Sequence, residues 1–249
     1  MTHAHSQPIV ARTSVPEACV QRLSLYLREF RRLERAQVRF VSSGDLARVL
    51  QLTDAQVRRD FSYFGQFGVS GRGYEVRRLQ GILATILGLE GQVWPVALAG
   101  VGNLGAALLA YRGFRERGFH IRVAFDQDPR KIGTTVRDVP VASATEIPRL
   151  VRQHRVKIGV IAVPSDEAQA VCDRFVAGGV RAILNFAPVR LRLPPSVRLR
   201  NVDLALELEQ LAFYLGGTNG HAGRPAPVAA AAKRKHTARH HVLRAGEAS

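Results

Sequence analysis

The chain has 249 residues, 46% of them hydrophobic and 22% charged, a balance that excludes disorder throughout and leaves room for one large domain or two modest ones with tails. No apolar run approaches the roughly 18 residues needed to cross a bilayer, and the opening MTHAHSQPIVARTS lacks the hydrophobic centre of a signal peptide, so a cytoplasmic protein is expected. The formal net charge of +16 is spread over every segment, which suits a polyanionic partner such as nucleic acid, although the excess of Arg over Lys can equally reflect genome composition.

In chain order the pattern divides into a tail (1–14), a segment of short helices and a Gly-punctuated hairpin (15–90), strands alternating with helices (91–202), a last helix (203–215) and a basic Gly/Ala/His-rich tail (216–249). Both tails lack apolar periodicity and are expected to be disordered. The first helix is announced by Ser14, Pro16 and Glu17, a capping box with Pro in the first turn, and Leu23, Tyr26, Leu27, Phe30 and Leu33 then recur as one buried stripe. A second helix starts at Ser42 or Ser43, with Asp45 in capping position, and is expected to bury Leu46, Val49 and Leu50. Gln51-Leu52 makes the turn, and Thr53 with Gln56 forms another capping box that opens a third helix through about Phe64. Two short helices meeting across so short a turn have helix-turn-helix geometry.

On the third helix Val57, Phe61 and Phe64 share one side, while Ala55, Gln56, Arg58, Arg59 and Ser62 occupy the others. Gln pairs bidentately with adenine and Arg with guanine in the major groove, whereas Ser62 and Tyr63 suit phosphate contacts. The stretch Gly65 to Tyr74 holds four further chances for positive φ at or near its turns and reads as a wing whose tip, Arg72, can enter the minor groove. With Ser43 at the head of the second helix, the expected DNA-binding set is Ser43, Gln56, Arg58, Arg59, Ser62, Tyr63 and Arg72. A small helical bundle with a solvated basic face fits the same pattern.

Val96 to Ala99 is a short apolar run of the kind found in buried parallel strands, and it leads directly into Gly100-Val101-Gly102-Asn103-Leu104-Gly105 and a helix. This is the dinucleotide fingerprint in its strand-turn-helix context: one Gly for the tight turn, one for approach of the pyrophosphate, one for close packing of helix and strand. A second strand, Ile121 to Phe125, ends at Asp126, where an acid can accept hydrogen bonds from a ribose 2′-hydroxyl. Asp126 favours NAD(H) over a 2′-phosphorylated cofactor, a preference softened by Arg130 and Lys131. Further strands are expected at Ile158–Val163 and Ile183–Phe186; Val163 and Pro164 either line the nicotinamide side or simply terminate a strand.

Catalytic groups are scarce. Six of the eight His residues lie in the tails, leaving His120 and His154, and no Tyr is followed four positions later by Lys. Only the last helix follows the strand-helix segment, so there is no room for a separate substrate domain. No catalytic residue is therefore expected, and Cys19 and Cys172, far apart in sequence, indicate buried thiols rather than a disulfide framework or metal site.

VPEA-x-x-x-RL-x-x-YLR (15–28), VRRDFSYFG (57–65), GRGY (71–74), GVGNLG (100–105), AFDQDPRKIG (124–133), ILNFAP (183–188) and NVDLALELEQL (201–211) resemble the Rex family of redox-sensing repressors over about residues 15–215. The resemblance implies an N-terminal winged helix-turn-helix domain and a C-terminal Rossmann-type parallel-sheet domain, with a domain-swapped last helix beginning at Asp203 and Leu204. It implies a homodimer that binds palindromic operator DNA through Arg58, Arg59 and the wing, and leaves it when NADH outcompetes NAD+. It also places Tyr111 near the partner's cofactor and Lys131 in the cofactor set. One departure is Ser70, where some members carry an Arg that pairs with the acid equivalent to Asp203; Arg72 is shifted by two residues. Two other classes fit the bare motifs: a nicotinamide-dependent oxidoreductase, or a CoA-binding protein, each with an appended nucleic-acid domain.

Overall fold

The computed structural model describes residues 15–216. The expectations for 1–14, including the Ser14 cap, and for the tail beyond 216 lie outside the described residues.

Helix α1 (Glu17–Arg35) takes Pro16 as its N-cap, without a side-chain cap, and buries the expected stripe of Leu23, Tyr26, Leu27, Phe30 and Leu33. Strand β1 (Phe40–Val41) precedes α2 (Ser43–Leu50), whose N-cap Ser42 accepts the Asp45 N–H at 3.0 Å. Leu46 and Ala47 are its buried residues, with Leu50 half-buried; Val49, expected inside, is 54% exposed. On so short a helix the inner face is centred on Leu46, Ala47 and Leu50, and Val49 lies more than a quarter turn off it. Gln51 turns the chain in the left-handed region at φ 55.

Helix α3 (Asp54–Ser62) begins at Thr53, whose hydroxyl accepts the Gln56 N–H at 3.1 Å, and ends two residues sooner than expected. Phe64 is therefore off the helix and half-buried, packing on the core from the following turn, where both Phe64 and Gly65 N–H groups reach the Phe61 carbonyl. Strands β2 (Gly68–Val69) and β3 (Gly73–Glu75) form the hairpin, β1 pairs with the other side of β3, and α4 (Val76–Ile86) follows. Gly73, at φ 85, is where the hairpin crosses β1: a Cβ there would stand 2.4 Å from the Val41 carbonyl oxygen. Phe61 sits at the centre of this core, with Tyr26 and Tyr74 rings each 4.9 Å from its own.

The second core surrounds a seven-stranded sheet in the order β10-β9-β8-β4-β5-β7-β6. Its strands are β4 (Trp94–Ala99), β5 (Phe119–Asp126), β6 (Thr135–Val136), β7 (Val139–Ser143), β8 (Ile158–Ile161), β9 (Ala182–Asn185) and β10 (Arg198–Asn201). All ladders are parallel except β6 with β7. Helices α5 (Asn103–Ala110), α6 (Arg112–Arg115), α7 (Ile147–Gln153) and α8 (Ser165–Gly178) make the connections. The strand expected to reach Val163 stops at Ile161, because Pro164 has no N–H for a ladder and caps α8. The strand expected at Ile183–Phe186 spans Ala182–Asn185. Successive strands run outward from β4 on one side and from β8 on the other, so the order reverses between these two, and ligands of open α/β sheets bind at such a point.

Helix α9 (Leu204–Gly216) belongs to a separate unit that starts at Leu204. Its Leu208, Leu211, Phe213 and Tyr214 are exposed, and the last two rings pack edge to face.

Candidate functional site

At the reversal point β4 ends in the Gly-rich loop. Gly100 has φ 93, and a Cβ on it would fall 2.3 Å from the Ala162 carbonyl oxygen at the end of β8. A Cβ on Gly105 would fall 1.9 Å from the Gly100 carbonyl oxygen, so the first turn of α5 lies directly on the loop. Gly102 differs: it is the N-cap of α5, no side chain caps that turn, and a Cβ there would meet nothing within 4 Å. The two outer glycines are thus needed by the fold, while the middle one leaves open space in front of unpaired helix N–H groups, a cradle that fits an anion such as a pyrophosphate. Val101 is buried; Asn103 and Leu104 are exposed on the first turn.

Asp126, at the end of β5, accepts the Val101 N–H at 2.8 Å, the Asp128 N–H at 2.9 Å and the Lys131 ammonium at 3.1 Å. Burial pushes its carboxyl up, but these donors together outweigh that and hold it below the usual carboxylate range. Asp126 is therefore an anionic acceptor at neutral pH, fastened to the loop it faces. Gly100, Gly102, Asp126, Lys131, Val163 and Pro164 line one cleft of about 450 Å³. Tyr111 is not in it. It is exposed at the junction of α5 and α6, edge-on to Phe114 at 5.1 Å, and lines a different cleft.

The candidate nucleic-acid face comes from α2, α3 and the wing. Arg58 pairs with Asp54 at 2.7 Å and reaches the Ser43 hydroxyl at 3.3 Å, bringing two expected contact residues together across the turn. Arg59 is exposed on the same helix, and its carbonyl accepts the Ser62 hydroxyl at 2.7 Å. Tyr63 is half-buried, and Arg72 folds back over the Phe40 ring at 5.8 Å. Gln56 is turned inward, its amide donating to Asp60 at 2.8 Å.

Asp60 is the residue that sequence reasoning missed. It is fully buried, and its carboxylate accepts two hydrogen bonds from Arg22 at 2.6 and 2.8 Å, one from Tyr26 at 2.8 Å, and the Gln56 amide. Burial pushes this carboxyl up, yet the bonds from Arg22, Tyr26 and Gln56 leave it below its ordinary value. The cluster ties α3 to α1. Its signal was present, since Val57, Asp60, Phe61 and Phe64 follow one helical stripe, and a charge on an apolar stripe implies a buried partner.

Both cysteines are buried, as expected, and burial pushes the Cys19 thiol up to about 12 and that of Cys172 up to about 11. Asp203, just before α9, is half-buried, and Leu204, the first residue of α9, is exposed. Among the described residues no group of three His, Cys, Asp or Glu can hold a metal, and no helix is long and apolar enough to cross a membrane.

Comparison with known proteins covers both halves. A family model described as a putative DNA-binding protein N-terminus matches residues 14–62, and one described as a CoA binding domain matches 92–189. The chain is 50% identical over 202 residues to the redox-sensing transcriptional repressor Rex of Desulfitobacterium hafniense, covering 81% of this chain and 96% of that protein. It is similar to RSP, a Rex-family repressor, crystallised in complex with β-NAD+ and operator DNA, at TM-score 0.78 and 35% identity over 83% of this chain and 94% of that one. The complex of RSP with β-NADH is similar at TM-score 0.76 and 34% identity, covering 83% and 96%.

Proposed function

The chain belongs to the Rex family of redox-sensing transcriptional repressors, and we propose that its two halves act as reading head and sensor in a homodimer released from operator DNA by NADH. The repressor binds DNA and takes NADH and NAD+ as its cofactors. What carries the finer reading is the presence, in one chain, of an exposed Arg58–Arg59 helix with a wing and a Gly-rich cleft closed by an ionised Asp126.

In this reading the N–H groups at the head of α5, at Asn103 and Leu104, hold the pyrophosphate, while the Val101 N–H stays on Asp126 and fixes the loop beneath it. Asp126 accepts the ribose hydroxyls with Lys131 beside it, and Val163 and Pro164 back the nicotinamide. The cofactor supplies the redox-dependent charge of that ring; the chain supplies only binding and orientation. Arg58 and Arg59 enter the major groove, Arg72 the minor groove, and Ser43, Ser62 and Tyr63 meet phosphates. Gln56 serves from behind, through Asp60, rather than at a base edge. Leu204 begins a helix that crosses to the partner subunit, where its exposed apolar residues find cover, with Asp203 at the hinge and Tyr111 facing the partner's cofactor. Rotation of the paired subunits then takes the recognition helices out of register with successive major grooves. Ser70 cannot form the Arg–Asp pair that some members use, so the swapped helix and Tyr111 carry the coupling here.

No catalysis is assigned. Among the described residues lining the cleft there is no His, Tyr or Cys, and its Lys131 is paired with Asp126. NADH absorbance is expected to stay constant with a panel of carbonyl substrates. The protein's site of action is the cytoplasm, where a repressor meets operator DNA.

Arg59→Ala tests the reading head. Operator affinity is expected to fall by about tenfold or more, the range of a lost Arg contact, with NADH binding unchanged. Unaltered operator affinity would remove Arg59 from the interface. The CoA-binding match favours a second occupant for the cleft; native mass spectrometry of the purified protein is expected to show NAD(H), and the mass of CoA would establish the alternative.

A further inference from the structure

The loop that follows β5 carries two cations close to the ribose acid, and each is answered by a different carboxylate. Lys131 pairs with Asp126 itself at 3.1 Å. Arg130 instead lies on Asp128, with Nε to Oδ1 at 3.0 Å and Nη2 to Oδ2 at 2.8 Å, a bidentate fork, and its backbone N–H also donates to Oδ1 at 3.0 Å. Asp128 is in turn tied to the site, because its N–H donates to Asp126 Oδ1 at 2.9 Å, and its carbonyl accepts the Lys131 N–H at 2.9 Å. The arrangement places two acids and two cations in six residues with no net charge.

We propose that Asp128, in the loop beside the nucleotide cleft rather than in its lining, is a specificity-determining residue: by holding Arg130 in this fork it keeps the guanidinium from serving a ribose 2′-phosphate, and so restricts the site to dinucleotides with a free 2′-hydroxyl. The inference rests on the reading of the cleft as a dinucleotide site. An Arg near the ribose acid is the residue type that accommodates a 2′-phosphate, since its planar fork matches the phosphate oxygens. This chain has such an Arg, and it is 88% exposed rather than locked in a core, so its position depends on its partner. The phosphate would carry nearly two negative charges and meet Asp126 directly, Asp128 behind it, and no uncommitted cation in the loop. Arg130 in the fork drives the Asp128 carboxyl down to about 2, so the acid is charged at neutral pH.

The test is Asp128→Asn, which keeps an oxygen to accept the Arg130 N–H and the backbone N–H that supports Asp126, but cancels the charge. Titration calorimetry with NADH and NADPH is expected to show the NADPH-to-NADH affinity ratio rising about tenfold, mainly through NADPH, as expected for one charge exchanged beside a phosphate. Adding Arg130→Ala to that variant is expected to remove most of the gain. Asp128→Ser, whose hydroxyl can also accept the Arg130 N–H, is the second variant should the first not fold, and is expected to show the same rise. An unmoved ratio in whichever variant folds, or a full gain that survives Arg130→Ala, would overturn the proposal. Failure of the unaltered protein to bind NADH at all would instead sink the dinucleotide reading beneath it.

Discussion

Asp60→Ala is expected to destabilise the N-terminal core by about 3 kcal/mol, the lower end of the range for breaking a buried ion pair, because the Arg22 left behind is 22% exposed. Arg22, Tyr26 and Gln56 all direct donors at this carboxylate, and Ala would leave them facing a cavity between α1 and α3. The loss is larger than for the surface pairs: in Arg48–Asp45 and Arg58–Asp54 both partners are exposed, and such pairs contribute less than about 1 kcal/mol. Thermal unfolding checks this, with Arg48→Ala as the surface control. The same carboxylate sets an acid limit. Its folded pKa is depressed below the ordinary Asp value, so its contribution is complete above that value and is lost as pH falls through the folded pKa. The unfolding midpoint of the N-terminal half should fall in that acid window, and much less steeply in Asp60→Asn. An Asp60→Ala protein as stable as the parent would mean that α3 is held by the Phe61 ring cluster alone.

Gly105→Ala and Gly102→Ala are expected to fail in opposite ways, although they sit three residues apart in one motif. At Gly105 the added methyl must displace the Gly100 carbonyl; overpacking costs about 1–3 kcal/mol where something can shift, and here the obstacle is backbone. The sheet domain should lose stability at the upper end of that range or fail to accumulate. At Gly102 the methyl enters open space, so stability should be unchanged, while NADH affinity falls by an order of magnitude or more because the methyl occupies the ground the pyrophosphate needs. Thermal unfolding and NADH titration of both variants separate the effects. Full NADH affinity in a folded Gly102→Ala protein would show that the anion does not approach α5 there.

Much of this was readable from residue order. The stripe from Leu23 to Leu33, the Thr53 cap, the hairpin around Gly71 and the strand-loop-helix at Gly100 are local patterns with local causes, and each formed as expected. What escaped depends on partners distant in sequence. Gln56 reads as a free base-contacting side chain until Arg22 and Tyr26, thirty or more residues earlier, are seen to hold Asp60 beside it. Asp126 was legible as an acid at the right distance, but not its bond to the Val101 N–H, which needs the register of β4 against β5. Short edge strands such as β6 and β10 carry too little alternation to declare themselves, and they form because β7 and β9 offer open edges. The fork between Arg130 and Asp128 is local, yet side-chain direction in a loop follows from no periodicity.

The central claim is that reduced cofactor in the cleft and operator DNA on the α3 face exclude one another. Fluorescence anisotropy of a labelled operator, at fixed salt and in the presence of NAD+ or NADH, measures that coupling directly. Operator affinity is expected to drop by about tenfold or more at saturating NADH, within the usual range of allosteric coupling, and to hold with NAD+. Equal affinity in the two cofactors, with NADH shown to be bound, would contradict the account.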